Sequence, residues 1–522
     1  MLALDGYRLG VAAIAIGVAA FLLLRLHALP SHEDETLVFF LSQSSLGDML
    51  GTVLGERGGA PLHYLLAYVA GVVDPGLTSL RLVSMAFAVA SIPAIAALVR
   101  RLSDRRTALV ATLLAAVSWT TLYHGIYGRM YSLFLFTSVL SLVLLLRALE
   151  SGTSGRWAAW AAGTLALLAT QPYGALVLAA EVVYVAVLRA RRPLPLRAPL
   201  VALAALLVLA VPLWRTYALL ASRFDVSLGE SSSELGSPLD VLDYFWEVFG
   251  DFIAGRPAAS VPAAILAVLG LVVLGRTRPD AAVLTLVIAG VPAVALLAAG
   301  SGPGVSLETR HLIFVLPFAT MAVAAGLLRA GAACGRAGPG VVALVLSFLV
   351  ASQVVWGLDR TRWLYAGEPE ARSNGRLAAA EWLARTGRED DVLFGYEPTY
   401  LDAWEHGAPF GAIFVPRADA TLALEALEDA GEPLGRGVWV LDASNDVDQS
   451  ENRMTVPDAT PGPEFETQAF GPFLLVRTTE PTRTPQEFLE AALAVEELGL
   501  ELGIGDAGVN ANTVRKALED LG

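Results

Sequence analysis

The sequence predicts an all-α polytopic membrane protein of about eleven transmembrane helices, followed by a C-terminal soluble α/β domain. Three observations carry that prediction. Charged residues make up only 16% of the 522-residue chain and hydrophobic ones 55%, against roughly 25% charged in soluble domains. Apolar runs long enough to cross a hydrocarbon core of about 30 Å recur through residues 1–358. From 359 to 522 the pattern changes to short strands and helices set off by Gly and Pro.

Taken in order, the apolar runs with arginine-rich ends place spans at 8–29, 77–99, 107–125, 130–149, 157–171, 173–190, 197–220, 258–275, 280–300, 310–329 and 338–358. Five basic loops lie between them: RRLSDRR, LRALESGTSGR, RARRPLPLR, GRTR and RAGAACGR. Positively charged loops stay cytoplasmic. All five share one side only if APLHYLLAYVAGVV, residues 60–73, does not cross. That run is short for a span and suits an interfacial or re-entrant helix. The N-terminus is then cytoplasmic, and the loop 30–76 and the C-terminal domain are extracytoplasmic. In SLGDMLGTVLGE, Leu46, Met49, Leu50, Val53 and Leu54 fall on one helical face, so the loop should rest on the membrane. Residues 221–257 read as a polar outer loop. Tyr7 to Leu29 is long enough to span and lacks a small-residue cleavage site, unlike a cleavable signal.

In the C-terminal domain, DVLFGYE (391–397), AIFVPR (412–417), GVWVLDA (437–443) and FGPFLLVRTT (470–479) read as strands. GRLAAAEWLART (375–386), ATLALEALEDAG (420–431), PQEFLEAALAVEELG (485–499) and NANTVRKALEDLG (510–522) read as helices. The domain has no G-x-G-x-x-G, and GSGPGVS, beginning at Gly300, lacks the Lys-Ser/Thr ending of a phosphate loop.

Composition also excludes several classes. A net charge of −14 offers no basic stripe for nucleic acid. Cys334 is the only cysteine, so neither an intrachain disulfide nor a thiolate metal cluster can form. Arginine outnumbers lysine, of which Lys516 is the only one; with abundant Ala and Gly, this suggests a GC-rich bacterial genome. Span centres are almost free of ionisable residues and no internal repeat is visible, which disfavours an ion-coupled transporter.

The most informative stretch is PSHEDETLVFF, where Glu33, Asp34 and Glu35 stand consecutively after His32 between two apolar runs. Adjacent carboxylates repel, and an apolar setting opposes their full solvation. The topology assigns His63, Arg81, His124, Arg129, Arg310 and His311 to the same outer face. Acids and cations on one face suit a reaction with an anionic, lipid-linked substrate. Glu35 also suits a helix cap, and an arginine at a span end can simply snorkel. His32, His63 and His124 with Asp34 or Glu35 are candidate ligands for a divalent metal, though no close pair such as H-x-x-x-H is present.

DETLVFFLSQSSLGDMLGTVLGERGGAPLHYLLAYV, with LRLVSMAF, GRMYSLFLF and TRHLIFVLPF, resembles the GT-C membrane glycosyltransferases. The likeness is strongest to the bacterial branch related to lipid A aminoarabinose transferases and protein O-mannosyltransferases, and it covers roughly residues 1–360. It implies a polyprenyl-phosphate sugar as donor and a cell-envelope glycan, lipid or protein as acceptor. Asp34 would be the general base, with Glu35 beside it. Arg310, Arg129, Arg81, His311 and Tyr131 would bind the lipid phosphate, and Glu33, His63 and His124 would serve the acceptor or a metal. The chain departs from the family in two places. His124–Arg129 contains no acid before the R-x-Y element, and Gly59–Ala60–Pro61 stands where many relatives have His-Pro-Pro. A non-catalytic protein that binds or flips polyprenyl-linked sugars is the alternative expectation.

Overall fold

The computed structural model describes residues 5–223, 237–299, 308–410, 413–444 and 453–522. The Gly-rich stretch after Gly300 and residues 224–236 of the expected polar loop lie outside these. The chain divides into two compact units, one of Met1–Leu29, Ser45–Leu219 and Ser233–Gly367, the other of Pro30–Ser44, Leu220–Ser232 and Glu368–Gly522.

The first unit is helical. Its elements are α1 (Gly6–Leu24), α3 (Leu46–Gly51), α4 (Pro61–Val73), α5 (Leu77–Leu102), α6 (Arg105–Val117), α7 (Trp119–Ile126), α8 (Tyr131–Ser151), α9 (Ser154–Leu168), α10 (Gly174–Arg191), α11 (Arg197–Leu209), α12 (Val211–Arg223), α13 (Pro238–Phe249), α14 (Pro257–Thr277), α15 (Pro279–Ala299), α16 (Leu316–Ala333), α17 (Gly338–Arg360) and α18 (Arg362–Ala366). Among the described residues, seven helices are long and apolar enough to cross a membrane; α6 with α7 and α11 with α12 raise this to nine if each bent pair is one span. The first pair bends by 54° at Ser118, whose ψ of 133° breaks the helix. The second bends by 53° just before Pro212, where the ring removes a backbone donor. The expected spans 157–171 and 173–190 are helices α9, of 15 residues, and α10, which carries Glu181, Arg189 and Arg191. The first is too short and the second too charged to count on the same basis. As expected, 60–73 is a separate helix of 13 residues, about 20 Å long.

Several small residues set the packing. A Cβ on Gly270 would lie 1.8 Å from the Ala322 carbonyl oxygen, and one on Gly326 would lie 1.9 Å from that of Leu266. Helices α14 and α16 therefore meet backbone to backbone, as small residues allow in membranes. The stretch 221–257 is not simply a polar loop: within it α13 starts on a Ser237–Asp240 capping box, and a π-helical turn at Gly250–Ala254 is wholly buried.

The second unit contains a five-stranded sheet in the order β2-β1-β3-β5-β4, with β1 (Val392–Phe394), β2 (Phe414–Val415), β3 (Gly437–Asp442), β4 (Phe465–Phe470) and β5 (Phe473–Thr478). β2, β1 and β3 are parallel, while β5 runs antiparallel to β3 and β4. Alternation along the strands sorts the side chains into two cores. Leu393, Val438, Val440, Phe473 and Leu475 face α19 (Glu370–Thr386) and α20 (Pro398–Glu405). Val392, Phe394, Trp439, Leu441 and Val476 face α21 (Ala420–Ala430), α22 (Pro485–Glu501) and α23 (Ala507–Leu521). The expected strand 470–479 is a hairpin end: Gly471, at φ +58°, and Pro472 form the turn between β4 and β5. β4 itself reads FETQAF, an edge strand too polar to betray itself by an apolar run. Helix α2 (Glu33–Gln43) belongs to this unit, although in sequence it lies between α1 and α3 of the other.

Candidate functional site

Helix α2 gives its three carboxylates different surroundings. The N-cap is His32, whose Nδ1 accepts the Asp34 amide at 3.1 Å, while the His32 amide donates to Glu35 Oε2 at 3.1 Å. This is a capping box with imidazole in the place of Ser or Thr. It makes the burial of Glu35, which has no exposed surface, intelligible. The carboxylate satisfies an orphan amide where the helix dipole favours negative charge. Glu33 points elsewhere: its Oε2 accepts from Arg417 Nη2 at 2.8 Å and Nε at 3.2 Å. Arg417 also pairs with Glu397. Burial pushes the Glu397 carboxyl up to about 7, with Arg417 pulling the other way. Asp34 is half-buried between the two and enters the cap through its amide rather than its carboxylate.

The cationic residues lie in the first unit. The segment Thr309–Val315 is a 3-10 turn leading into α16, and Glu308 and His311 form a capping box at its start. Arg310 pairs with the Glu308 carboxylate, and its guanidinium carbon lies 5.0 Å from the centroid of the Tyr131 ring, within cation–π range. His311 stacks on Tyr173 at 4.5 Å with 19° between the rings. His124 packs against Tyr131 at 4.7 Å. One cluster thus gathers Arg310, His311, Tyr131 and His124. Both ring nitrogens of His124 are buried without a hydrogen-bond partner among the described residues.

A second group lies at the turn before α8. His63 Nε2 donates to the Gly128 carbonyl at 3.2 Å, and Ser84 Oγ donates to the Arg129 carbonyl at 3.1 Å. These bonds fix the backbone that presents Arg129, itself half-buried. Burial, with Arg129 adding to it, pushes His63 down to about 3, so the ring is neutral and its bare nitrogen is Nδ1. Arg81 is placed differently from Arg310: it is 1% exposed, and its Nη1 donates to the carbonyls of Leu26 and Leu29, both at 2.9 Å. Those are orphan carbonyls at the end of the first span, and closing them is a structural task.

Three site residues escaped the sequence reading. Glu308 was legible, being two positions from Arg310. Asp251 was hidden in the supposed polar loop; fully buried, it accepts from Thr309 Oγ1 at 2.5 Å, Trp356 Nε1 at 2.8 Å and Arg360 Nη2 at 3.4 Å. It thereby grips the residue next to Arg310. Tyr244 adds a bond from its hydroxyl to the Glu308 carbonyl at 3.0 Å. Among the described residues, no three His, Cys, Asp or Glu side chains converge as a metal site.

Fold and sequence comparisons agree on a class. Residues 60–215 match the family model for dolichyl-phosphate-mannose-protein mannosyltransferase. The fold is similar to that of ArnT from Cupriavidus metallidurans in the apo state, at 15% identity over 90% of this chain and 98% of that one, with a TM-score of 0.56. ArnT bound to undecaprenyl phosphate matches at 14% identity over 91% of this chain and 98% of that one, with a TM-score of 0.51. The apo Archaeoglobus fulgidus oligosaccharyltransferase matches at 12% identity over 83% of this chain and 70% of that one, with a TM-score of 0.50. No curated protein sequence matches. The chain is thus a multi-pass membrane protein whose fold is similar to that of ArnT and of the archaeal oligosaccharyltransferase.

Proposed function

We propose that the protein is a glycosyltransferase that takes a sugar from a polyprenyl phosphate and passes it to an acceptor hydroxyl or amine on the outer face of the bacterial plasma membrane. The observation that carries this reading is the Arg310–Tyr131–His311–His124 cluster, set at the end of an apolar span in a fold whose relative ArnT has been solved with undecaprenyl phosphate. The five arginine-rich loops support a cytoplasmic N-terminus and an extracytoplasmic C-terminal domain.

The chemistry would run by direct displacement. The acceptor oxygen or nitrogen attacks the anomeric carbon while the bond from that carbon to the phosphate oxygen breaks, inverting the configuration. Asp34 takes the acceptor proton as general base. The leaving group goes from a phosphate diester to a monoester and gains negative charge, so no acid need protonate it. Arg310 meets that charge, with Arg129 as the second cation; preorganised donors aimed at developing charge are the larger catalytic term. Tyr131 packs its ring against the Arg310 guanidinium, and Asp251 fixes Thr309 beside it. Glu35, Glu33, His63 and Arg81 are assigned to positioning α2, the turn at Gly128 and the end of the first span.

The test uses the purified full chain with a panel of polyprenyl-phosphate sugars and envelope acceptors, comparing wild type with Asp34→Asn. Expected is a loss of about 10³-fold or more in turnover, with donor affinity retained. Turnover unaffected by the substitution would remove Asp34 as the base. Donor binding without turnover by the wild type, across the panel, would favour a non-catalytic carrier or flippase, a reading kept open by the absence of an acid between His124 and Arg129. Reporter fusions after residue 360 test the topology, and a cytoplasmic signal there would refute it.

A further inference from the structure

The C-terminal domain has no assigned role, yet it holds the most chemically loaded helix of the chain. Helix α2 is only 11 residues long and starts with three adjacent acids, so in isolation it would be marginal. Two attachments stabilise it. At its N-terminal end Glu33 meets Arg417 in the two bonds described above. Along its body Phe39 packs edge-on against Trp404 of α20 at 5.0 Å, and Phe40 packs against Phe414 of β2 at 4.4 Å. Leu37 and Val38 are buried. Arg417 follows β2, and its second partner, Glu397, is the N-cap of α20. One guanidinium therefore joins three elements: the start of α2, the end of β2 and the start of α20.

The geometry points to Arg417 as a positioning residue for Asp34, and to the C-terminal domain as the body that sets where the acidic helix stands. This inference rests on the proposed reading of Asp34 as the base. Its physical content is connectivity. α2 is joined by the chain to α1 on one side and α3 on the other, both in the membrane unit, but packs with the C-terminal domain. A movement or loosening of that domain is thus transmitted to Asp34 through Glu33, one residue away. A planar fork suits the task, because bidentate pairing fixes orientation as well as distance.

The experiment combines two readouts on the full-length protein in detergent or nanodiscs: hydrogen exchange of the peptide covering residues 33–43, and steady-state kinetics with a polyprenyl-phosphate sugar. Arg417→Gln is expected to raise α2 exchange by about tenfold. It should lower kcat by about 10- to 100-fold, since a shift of about 1 Å in a reacting group has that cost, with the KM for donor changed less than about threefold. Arg417→Lys, which keeps the charge but not the fork, should recover part of kcat. If Arg417→Gln fails to fold because Glu397 is left without its partner, Glu33→Gln takes its place and should show the same split at smaller amplitude. Unchanged α2 exchange in both variants would overturn the inference, as would raised exchange with undiminished kcat. If the wild type turned over no donor, the glycosyltransferase reading would fall, and the exchange measurement would still decide whether Arg417 holds α2.

Discussion

Two helix starts in this protein are built from the same pair of residue types in opposite order. At α2 the N-cap is His32 and the third helical residue is Glu35; at the 309 turn the N-cap is Glu308 and the third residue is His311. In both, a ring Nδ1 accepts a backbone amide, from Asp34 at 3.1 Å and from Glu308 at 3.2 Å. What differs is the residues carried inside each box. The first holds two acids, Glu33 and Asp34, of which Glu33 is taken by Arg417; the second holds Thr309 and Arg310, a cation paired with the acid of its own cap. The cap thus does not determine the chemistry. It holds a short segment rigid so that a charged side chain between its members can be presented in a fixed direction, as a preorganised site requires.

The largest effect should come from emptying the second box of its charge. Arg310→Gln is expected to reduce kcat/KM for a polyprenyl-phosphate donor by about 10²-fold or more, the scale on which single transition-state donors act, without altering thermal stability. Glu308→Gln should move donor affinity the other way by several-fold. It keeps an oxygen for the cap but removes the carboxylate that competes with phosphate for Arg310. Weaker donor binding in Glu308→Gln would show that the Glu308 pair orients Arg310 rather than competes for it. Direct titration of polyprenyl phosphate distinguishes the two.

The first box should fail structurally rather than chemically. Glu35→Ala removes a buried carboxylate that satisfies the His32 amide and is expected to cost about 1 to 2 kcal/mol. The loss should be seen as faster hydrogen exchange in α2 and a proportionate fall in turnover. Glu35→Gln should retain most of both. If Glu35→Gln instead abolished turnover while leaving exchange untouched, Glu35 would have a chemical role and the contrast with Asp34 would collapse.

How much of this was legible in the sequence depends on how far apart the partners stand. The spans, the short helix α4 and the α/β pattern came from local periodicity, and so did the identity of the acidic run as an unusual feature. The residue types around Arg310 were legible because Thr309, Arg310 and His311 are consecutive. Which acid does what was not legible, because Glu33 finds Arg417 at a separation of 384 residues, and no local rule reaches that far. Asp251 was missed for a related reason: its partners are supplied by a distant turn (Thr309) and by helix α17 (Trp356 and Arg360), and alone it looks like one more acid in a polar stretch. Arg81 sits beside apolar residues, as a phosphate ligand or a snorkelling side chain would, and only the position of Leu26 and Leu29 reveals it as a cap. β4 escaped because an edge strand needs only one apolar face.

Acidity offers a subtler way to separate the two regions. Around Arg417 burial pushes Glu397 up to about 7 and Glu496 up to about 8, both well above their values in an unfolded chain. A carboxyl whose folded pKa is raised binds more protons folded than unfolded, so its contribution favours folding at low pH and is lost as pH rises. The window runs from the ordinary glutamate range up through about 7 to 8. The C-terminal domain should accordingly lose stability between pH 5 and pH 8, by roughly 4 °C in its unfolding midpoint, with α2 exchange rising in parallel. Glu496→Gln should flatten that slope. An unchanged slope in the variant would mean that Glu496 is not among the groups responsible.

The smallest effect is the most specific to the comparison. His32 is an exposed N-cap, and the only property the cap asks of it is a hydrogen-bond acceptor one bond from the ring carbon. Asn supplies an acceptor in a similar place and is among the best N-caps. His32→Asn should therefore leave α2 exchange, stability and turnover within about twofold of wild type, whereas His32→Ala should cost about 1 kcal/mol. If the imidazole shuttled a proton from Asp34, the two substitutions would be equally damaging to kcat, and the His32→Asn protein would be slow despite an intact helix. A normal His32→Asn enzyme would confine His32 to holding the helix. In that case Asp34 would stand as the one residue of the box proposed to react, with Arg310 its proposed electrostatic counterpart in the other.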